Sequence, residues 1–476
     1  MKILFVAANT RAQGEPTLGL GYIASYLRKY IGKNLDIRIL NYIPKDISRI
    51  ISFSPDIIGI SAMTKQYMAA VRFAGRLKQH TNTPIVIGGV HITLAPDSFN
   101  SVFDLAVMGE GERTFLEIVQ CILQYGFDKG QLKDIPGVML DYEGKILKSR
   151  ARDFIRPLDT IPYPARELFN MEFMFNPEKP CFGHTKGRGT QMFTSRGCPY
   201  KCDFCSCSVV WGKPRFHSAE YVVEEMSLLI ERYGVKHIRI HDDLFTVNAT
   251  RLRKLVSLME ERGIPEKVSF AVFGRADIIN EEICALLKRM NTEFIEFGME
   301  SGSQRILDIL KCGLVKLHHL ENAVRLCRKF KLSVGGFFIL GTPGETEDEM
   351  LQTLNFIRKI QLDKFFSSVC TPLPGTAIWN RSVGNGLISG DILHIDWDTF
   401  SGLGKGVMAI DDIMPGGDLI YINKAVPPDR FVEIYNMIEE ERKKTSTSNW
   451  AEIFPEEDPG ERMLLSRPSG SYNQIN

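Results

Sequence analysis

Three cysteines stand close together at the spacing C-x3-C-x2-C, in the stretch Thr194-Ser195-Arg196-Gly197-Cys198-Pro199-Tyr200-Lys201-Cys202-Asp203-Phe204-Cys205. Soft thiolates at this spacing suit an iron–sulfur cluster or zinc. A structural zinc site is almost always closed by four ligands, and Cys207 or His217 would have to supply the fourth. Otherwise Cys198, Cys202 and Cys205 hold three irons of a four-iron cluster and leave one iron open. The chain of 476 residues has ten cysteines and no export signal in view, so a disulfide scaffold is not expected. Cys121, Cys284, Cys312, Cys327 and Cys370 sit in apolar or helical surroundings, where core packing is the expected role.

Such a cluster needs elements to hold it. The cysteines follow a short apolar run at 191–194 and a glycine turn, and from there strand and helix patterns alternate. Strands are expected at 191–194, 237–241, 268–273, 294–298, 333–340 and 365–371, with helices at 219–233, 249–262, 281–290, 317–330 and 347–359. Ser218 and Asn280 are expected N-caps, and Thr346 with Glu349 fits a capping box. Six strands joined by helices predict a partial (β/α)6 barrel over 189–376, with its active site at the carboxyl ends of the strands.

An earlier alternation fills 1–130. Strands at 3–8, 36–40, 56–61, 84–87 and 105–108 alternate with helices at 19–30, 67–80 and 114–125. The pitch predicts a doubly wound, parallel, Rossmann-like α/β sheet. Ligands of such sheets bind beyond the carboxyl ends of the strands. Those ends carry Ser61-Ala62-Met63-Thr64, Gly88-Gly89-Val90-His91 and Gly109-Glu110-Gly111-Glu112. Residues 131–188 lose the rhythm and are punctuated by proline, which predicts an interdomain connection, with a hairpin turn at Asp141-Tyr142-Glu143-Gly144-Lys145. Residues 377–476 form a small C-terminal region with a helix at 428–444 and a polar tail, where substrate contacts are expected.

Composition sets the outer bounds. The chain is 44% hydrophobic and 24% charged, with a formal net charge of +1, the profile of a globular protein with no global field toward nucleic acid or anionic lipid. No apolar run reaches the roughly 18 residues of a spanning helix. A cytoplasmic enzyme is the expectation.

The cysteine stretch, with its preceding Ser-Arg-Gly and Phe204 before the last cysteine, strongly resembles the radical S-adenosylmethionine (SAM) superfamily. The resemblance implies a [4Fe–4S] cluster on Cys198, Cys202 and Cys205, whose open iron chelates SAM and whose reducing electron releases a 5′-deoxyadenosyl radical. Cys207 is left out of the cluster. Gly298-Met299-Glu300-Ser301-Gly302-Ser303 resembles the family's Gly-x-Glu-Ser-Gly segment, which implies hydrogen bonds from Glu300 and Ser301 to the ribose or amino group of SAM. The run from Gly335 to Thr346 resembles the motif that packs on the adenine, bringing in Gly336, Leu340 and Gly341. Phe204 and Asp242 are further implied SAM contacts, and Arg275 is expected to pair with the SAM carboxylate.

The run from Pro16 to Leu27 and the two glycine-rich strand ends resemble cobalamin-binding domains. Leu18, Gly19, Ser61, Ala62, Gly88, Gly89, His91, Gly109, Glu110 and Gly111 are the implied cobalamin contacts. The sequence Asp-x-His-x-x-Gly, which supplies a lower axial histidine in some cobalamin domains, is missing from 1–130, so no domain-one histidine is expected under the cobalt. Together these features imply a cobalamin-dependent radical SAM methyltransferase acting on an unactivated carbon of a small molecule, served by a flavodoxin- or ferredoxin-type electron donor. Alternatives are a radical cyclisation or rearrangement with the same cofactors, a methylthiotransferase-like enzyme, and a non-catalytic metal-stabilised module. The balanced charge gives no clear nucleic-acid signal.

Overall fold

The computed structural model describes residues 1–10, 15–32, 34–175, 180–181, 185–402 and 420–445. They form two compact units: Met1–Asn176 with Ile392–Trp397, and Pro177–Asp391 with Asp398–Asn449.

The first unit is built on a seven-stranded sheet. Its strands are β1 (Lys2–Ala7), β2 (Asp36–Leu40), β3 (Ile57–Ser61), β4 (Ile85–Gly88), β5 (Leu105–Val107), β6 (Val138–Tyr142) and β7 (Lys145–Lys148), in the order β2-β1-β3-β4-β5-β6-β7. The first five are mutually parallel. Their near-continuous apolar runs suit strands covered on both faces. Helices α1 (Leu18–Ile31), α2 (Tyr67–Lys78) and α3 (Gly111–Tyr125) make the crossovers. Gly59 on β3 is needed for packing, because a Cβ there would lie 2.7 Å from the Phe5 ring. Phe5 in turn meets Phe115 of α3 at 5.0 Å between centroids.

The expected connection at 131–188 is corrected at its start. β6 pairs antiparallel with β5 and β7 with β6, so this hairpin extends the first sheet. The hairpin turn expected at Asp141–Lys145 is present, joining strands of 5 and 4 residues.

The second unit holds six parallel strands in sequential order: β8 (Gly189–Met192), β9 (His237–Ile240), β10 (Ser269–Gly274), β11 (Thr292–Glu300), β12 (Ser333–Leu340) and β13 (Lys364–Val369). Helices α4 (Ala219–Tyr233), α5 (Ala249–Glu261), α6 (Glu281–Arg289), α7 (Gln304–Leu310), α8 (Leu317–Lys329) and α9 (Glu347–Ile360) connect them. The caps follow the sequence. Ser218 Oγ accepts from Tyr221 N–H at 3.1 Å, Asn280 Oδ1 from Ile283 N–H at 2.9 Å, and Thr346 with Glu349 closes a capping box. This is the partial barrel that the periodicity predicts.

Helix α10 (Pro428–Thr445) packs on α9 and β13. Its Tyr435 hydroxyl donates to Ser367 O at 3.0 Å. Much of the described C-terminal region therefore closes the barrel sheet, while the tail from 446 lies outside the described residues. Among the described residues no helix is long and apolar enough to cross a membrane.

Candidate active site

The cysteine loop leaves β8 and is fixed from below by two neighbouring carboxylates. Asp242 accepts from Thr194 N–H at 2.6 Å, Ser195 N–H at 3.0 Å, Thr194 Oγ at 2.5 Å and Ser195 Oγ at 2.7 Å. It is 1% exposed, and burial pushes its pKa up. Asp243 accepts from Gly197 N–H at 3.0 Å. The expectation that Asp242 meets SAM is thereby corrected: its oxygens are filled by the loop, and a buried carboxylate gains more from four donors already in place than from exchanging them.

A second brace holds the far end of the loop. Arg381 forms a bidentate pair with Asp203, at 2.5 and 2.7 Å, and Asp203 N–H donates to Leu310 O at 3.0 Å. Phe204 packs against Ile306, Leu310, Ile378 and Ile422. It belongs to the apolar support of the loop, with the Lys311 ammonium 5.5 Å from its ring centre.

Within this frame the three thiols differ. Burial raises Cys198 to about 11 and also raises Cys202. Cys205 is lowered to about 7, chiefly by a hydrogen bond from Cys207. The role of Cys207 is thus contact with a candidate ligand, and its own thiol is pushed up by that bond. Cys284 and Cys327 are buried and hydrogen-bonded to each other, and Cys370 is buried. Cys312 departs from the core expectation, being exposed with its thiol 3.2 Å from Lys201 O. His217 is buried and stacked on Tyr221 at 4.1 Å.

Two buried cations face the thiols. Arg275, at the end of β10, donates from Nη1 to Cys202 Sγ at 3.3 Å. Its guanidinium lies 3.7 Å from the Tyr200 ring centre and 2.7 Å from Asp277. Lys311, at the end of α7, pairs with Glu300 at 2.6 Å, and both side chains are at least nine-tenths buried. The charges of Lys311 and Arg275 both favour the thiolate of Cys202. Thiolate donors inside a positive field fit an iron–sulfur cluster, a group of net negative charge with its ligands counted. Among the described residues, no three histidine, cysteine or acidic side chains stand together as a set that could hold a metal ion, the three thiols of the loop included.

Glu300 sits at φ +61°, in the left-handed region, a conformation that costs a non-glycine residue on the order of 1 kcal/mol. A Cβ on Gly298 would fall 2.2 Å from Glu300 Oε1 and 2.8 Å from Lys311 Nζ. The glycine thus makes room for the ion pair. Ser301 is fully buried, its hydroxyl 3.1 Å from Thr353 Oγ1 and accepting from Ser303 N–H. Its expected SAM contact is corrected to a bond within the fold. Gly336 is likewise a packing residue, since its Cβ would meet Leu362 at 2.5 Å and Met299 at 3.0 Å. Leu340 is buried, and Gly341 (φ +78°) donates its N–H to Glu345 at 2.7 Å beneath the Phe431 ring.

Sequence reading missed Lys311, Tyr200, Asp277 and Arg381. The seven-residue helix α7 was missed as well, and with it the only signal that would place Lys311 beside Glu300.

The carboxyl edge of the first sheet has a different make-up. Gly19 and Gly109 are exposed with no atom within 4 Å of an added Cβ, and Ser61 and Gly88 are half-buried. Met63, beside Ala62, is 48% exposed. An edge of glycine, serine and methionine offers the apolar, unobstructed surface that a corrin needs.

Other expected contacts there are corrected. Leu18 and Ala62 are buried in the sheet's packing. Gly111 abuts Ile23, and Glu110 turns inward to accept from Ile155 N–H at 2.7 Å. His91 is fully buried, stacked on Tyr67 at 4.0 Å, edge-on to Trp397 at 4.6 Å, and 2.9 Å from Ser98 Oγ. The Gly89 Cβ would lie 2.7 Å from Ala62 O, so this glycine (φ +100°) serves the meeting of β3 and β4.

Comparison with known proteins agrees with both halves. Residues 192–357 match the model of the Radical SAM superfamily, and residues 5–119 match the B12 binding domain. An uncharacterized methyltransferase of Pyrococcus horikoshii is 34% identical over 420 residues, covering 84% of this chain and 86% of the relative. The chain belongs to the B12-binding radical SAM methyltransferase family. A cytidylyl-2-hydroxyethylphosphonate methyltransferase of Streptomyces wedmorensis is 27% identical, with 78% of each chain covered. In fold, the radical SAM methyltransferase TsrM of Kitasatospora setae, solved with cobalamin and a [4Fe-4S] cluster, superposes with a TM-score of 0.68 at 15% identity, over 96% of this chain and 91% of that one.

Proposed function

We propose that this family member is a C-methyltransferase that places a methyl group on an unactivated carbon of a small molecule. Its radical half is supported by buried Arg275 set against the Cys202 thiol, with the Lys311 charge acting on the same group, and its methylation half by the likeness to named methyltransferases. When bound, the cluster and SAM supply one-electron radical chemistry, and cobalamin supplies a methyl carrier.

The chain's own part is binding and orientation. Cys198, Cys202 and Cys205 hold the cluster, and Asp242, Asp243 and Arg381 keep their loop in shape. Lys311 and Arg275 offer cations to the SAM carboxylate, and Glu300 offers an acceptor to its amino group or ribose. Ser61, Gly19, Gly88 and Gly109 form the edge on which cobalamin rests. The electron donor is of flavodoxin or ferredoxin type.

The deciding assay uses anaerobically reconstituted protein with SAM, reductant, cobalamin and a candidate substrate. Methyl transfer to carbon yields S-adenosylhomocysteine together with 5′-deoxyadenosine. Production of 5′-deoxyadenosine alone would replace methylation by cyclisation or rearrangement, and production of neither would remove the radical reading.

A further inference from the structure

Along each strand of the barrel sheet, side chains alternate between the helix-covered face and the concave face. Toward the carboxyl ends the two faces treat phenylalanine differently, whereas Phe294, nearer the amino end of β11 and on the face of Glu296, is 4% exposed. Phe270, Phe297, Phe338 and Phe365 are at most 1% exposed. Their counterparts of the other parity, Phe273, Phe337 and Phe366, are only half-buried, as is Phe193 just beyond β8. These half-buried rings form a continuous row. Phe193 meets His241 at 6.0 Å, His241 meets Phe273 at 5.6 Å, Phe273 meets Phe337 at 6.2 Å, and Phe337 stacks on Phe366 at 5.5 Å and 16°. An aromatic surface left open to solvent inside a fold marks a place where something binds.

Polar groups near the row narrow what that is. Toward the amino ends of the strands the row is floored by the Arg239–Glu296 ion pair, with the Arg239 guanidinium 4.8 Å from the Phe273 ring centre. The Lys364 charge acts on Glu296 there. Within the row the one polar side chain is His241, whose ring nitrogens make no hydrogen bond among the described residues. Burial and the Arg239 charge hold it at about 3, so it is a neutral imidazole with one donor and one acceptor to offer. Phe273 lies two residues before Arg275, and Gly298 two before Glu300. At ~3.3 Å per residue the row is about 7 Å from the residues assigned above to SAM.

We propose that this row is the substrate platform, and that it takes a flat aromatic or conjugated ring with one edge hydrogen-bonded to His241. This rests on the radical SAM reading for its chemistry but not for its binding. Flatness follows from a wall of ring faces and edges, which favours stacked or edge-on aromatic partners.

The test measures binding of indole, naphthalene and cyclohexanol to the cluster-reconstituted, SAM-loaded protein by calorimetry. The same preparations are assayed for 5′-deoxyadenosine. Indole is expected to bind at least tenfold more tightly than cyclohexanol. Phe337→Leu should weaken indole roughly tenfold, with the cluster absorption unchanged. His241→Ala should weaken indole and leave naphthalene as it was. Equal binding of indole and cyclohexanol, or indole affinity unmoved by Phe337→Leu, would overturn the platform even if SAM is cleaved normally. Loss of SAM cleavage with indole binding intact would instead overturn the radical reading and leave the platform standing.

Discussion

At the carboxyl ends of β10 and β11, Arg275 touches the thiol of Cys202 and pairs with Asp277, while the Lys311 charge, paired with Glu300, acts on the same thiol. At the carboxyl ends of β3, β4 and β5 stand Ser61, Met63, Gly88 and Gly109, with no charge reaching the edge from Glu110, which is turned inward. Both are the ligand-facing edges of parallel sheets. The difference lies in what each must hold. A charged cluster and a zwitterionic SAM need fixed, buried counter-charges, which are effective only where water is kept out. A large macrocycle needs area and clearance, which glycine gives.

The largest effect should come from the thiols. Replacing Cys198, Cys202 or Cys205 by alanine should abolish the iron–sulfur absorption and 5′-deoxyadenosine formation, because each is proposed as a direct ligand. Cys207→Ala should retain the cluster, with its spectrum shifted by loss of the hydrogen bond to Cys205. A Cys207 variant without cluster beside a Cys202 variant with one would reverse the assignment.

The charged edge should next show its dependence on pairing. Lys311→Met leaves Glu300 buried without its partner and should cost about 3–5 kcal/mol in urea unfolding. The double variant with Glu300→Gln should recover much of that loss. Both should bind SAM on the order of tenfold or more weakly. Equal stability of the single and double variants would show that the pair is not electrostatically coupled.

The open edge should respond to glycine substitution according to position. Gly89→Val would drive a side chain into Ala62 O and N, so the first unit should lose its fold before any ligand is tested. Gly109→Ala meets no atom within 4 Å and should cost only about 1 kcal/mol for its positive φ. Gly109→Val should lower cobalamin retention while cluster content stays constant. Unchanged retention would move the corrin off this edge.

The smallest difference concerns pH. Burial holds His91 and His241 at about 3, below the ordinary 6.5 of imidazole. As pH falls, the unfolded chain takes up protons that these rings refuse. The stability tied to each is full above 6.5 and is lost progressively toward 3. His91→Gln should flatten this acid limb for the first unit, followed by hydrogen exchange of its peptides. An unaltered acid limb would mean that His91 gains a proton partner on acidification.

Most elements were legible because apolar periodicity and end signals agreed: the strands at 36–40 and 333–340 and the helix at 219–233 match their observed bounds. The hairpin turn at Asp141–Lys145 was legible, but its pairing with β5 was not, being a long-range contact; helix α7 was not legible, since seven residues carry too little period to read. The cysteine motif and Arg275 were visible as residue types at strand ends. That Asp242, Ser301 and His91 have partners inside the fold and that Gly336 is closely packed was not legible, because a polar or glycine residue at a strand end looks the same whether it faces a ligand or the protein.

By itself the sequence determined that two parallel α/β units follow one another, and that three thiols at close spacing leave the first barrel strand. Local pattern suffices for that, because strand and helix periods and ligand spacing are short-range properties of the chain. Only the tertiary structure decided that Asp242 is consumed by the cysteine loop, that Lys311 answers Glu300 from a helix eleven residues on (311 against 300), and that His91 is walled in by Tyr67 and Trp397. Whether a polar group is spent inside the fold depends on which distant donors and rings reach it, and that is fixed by packing alone.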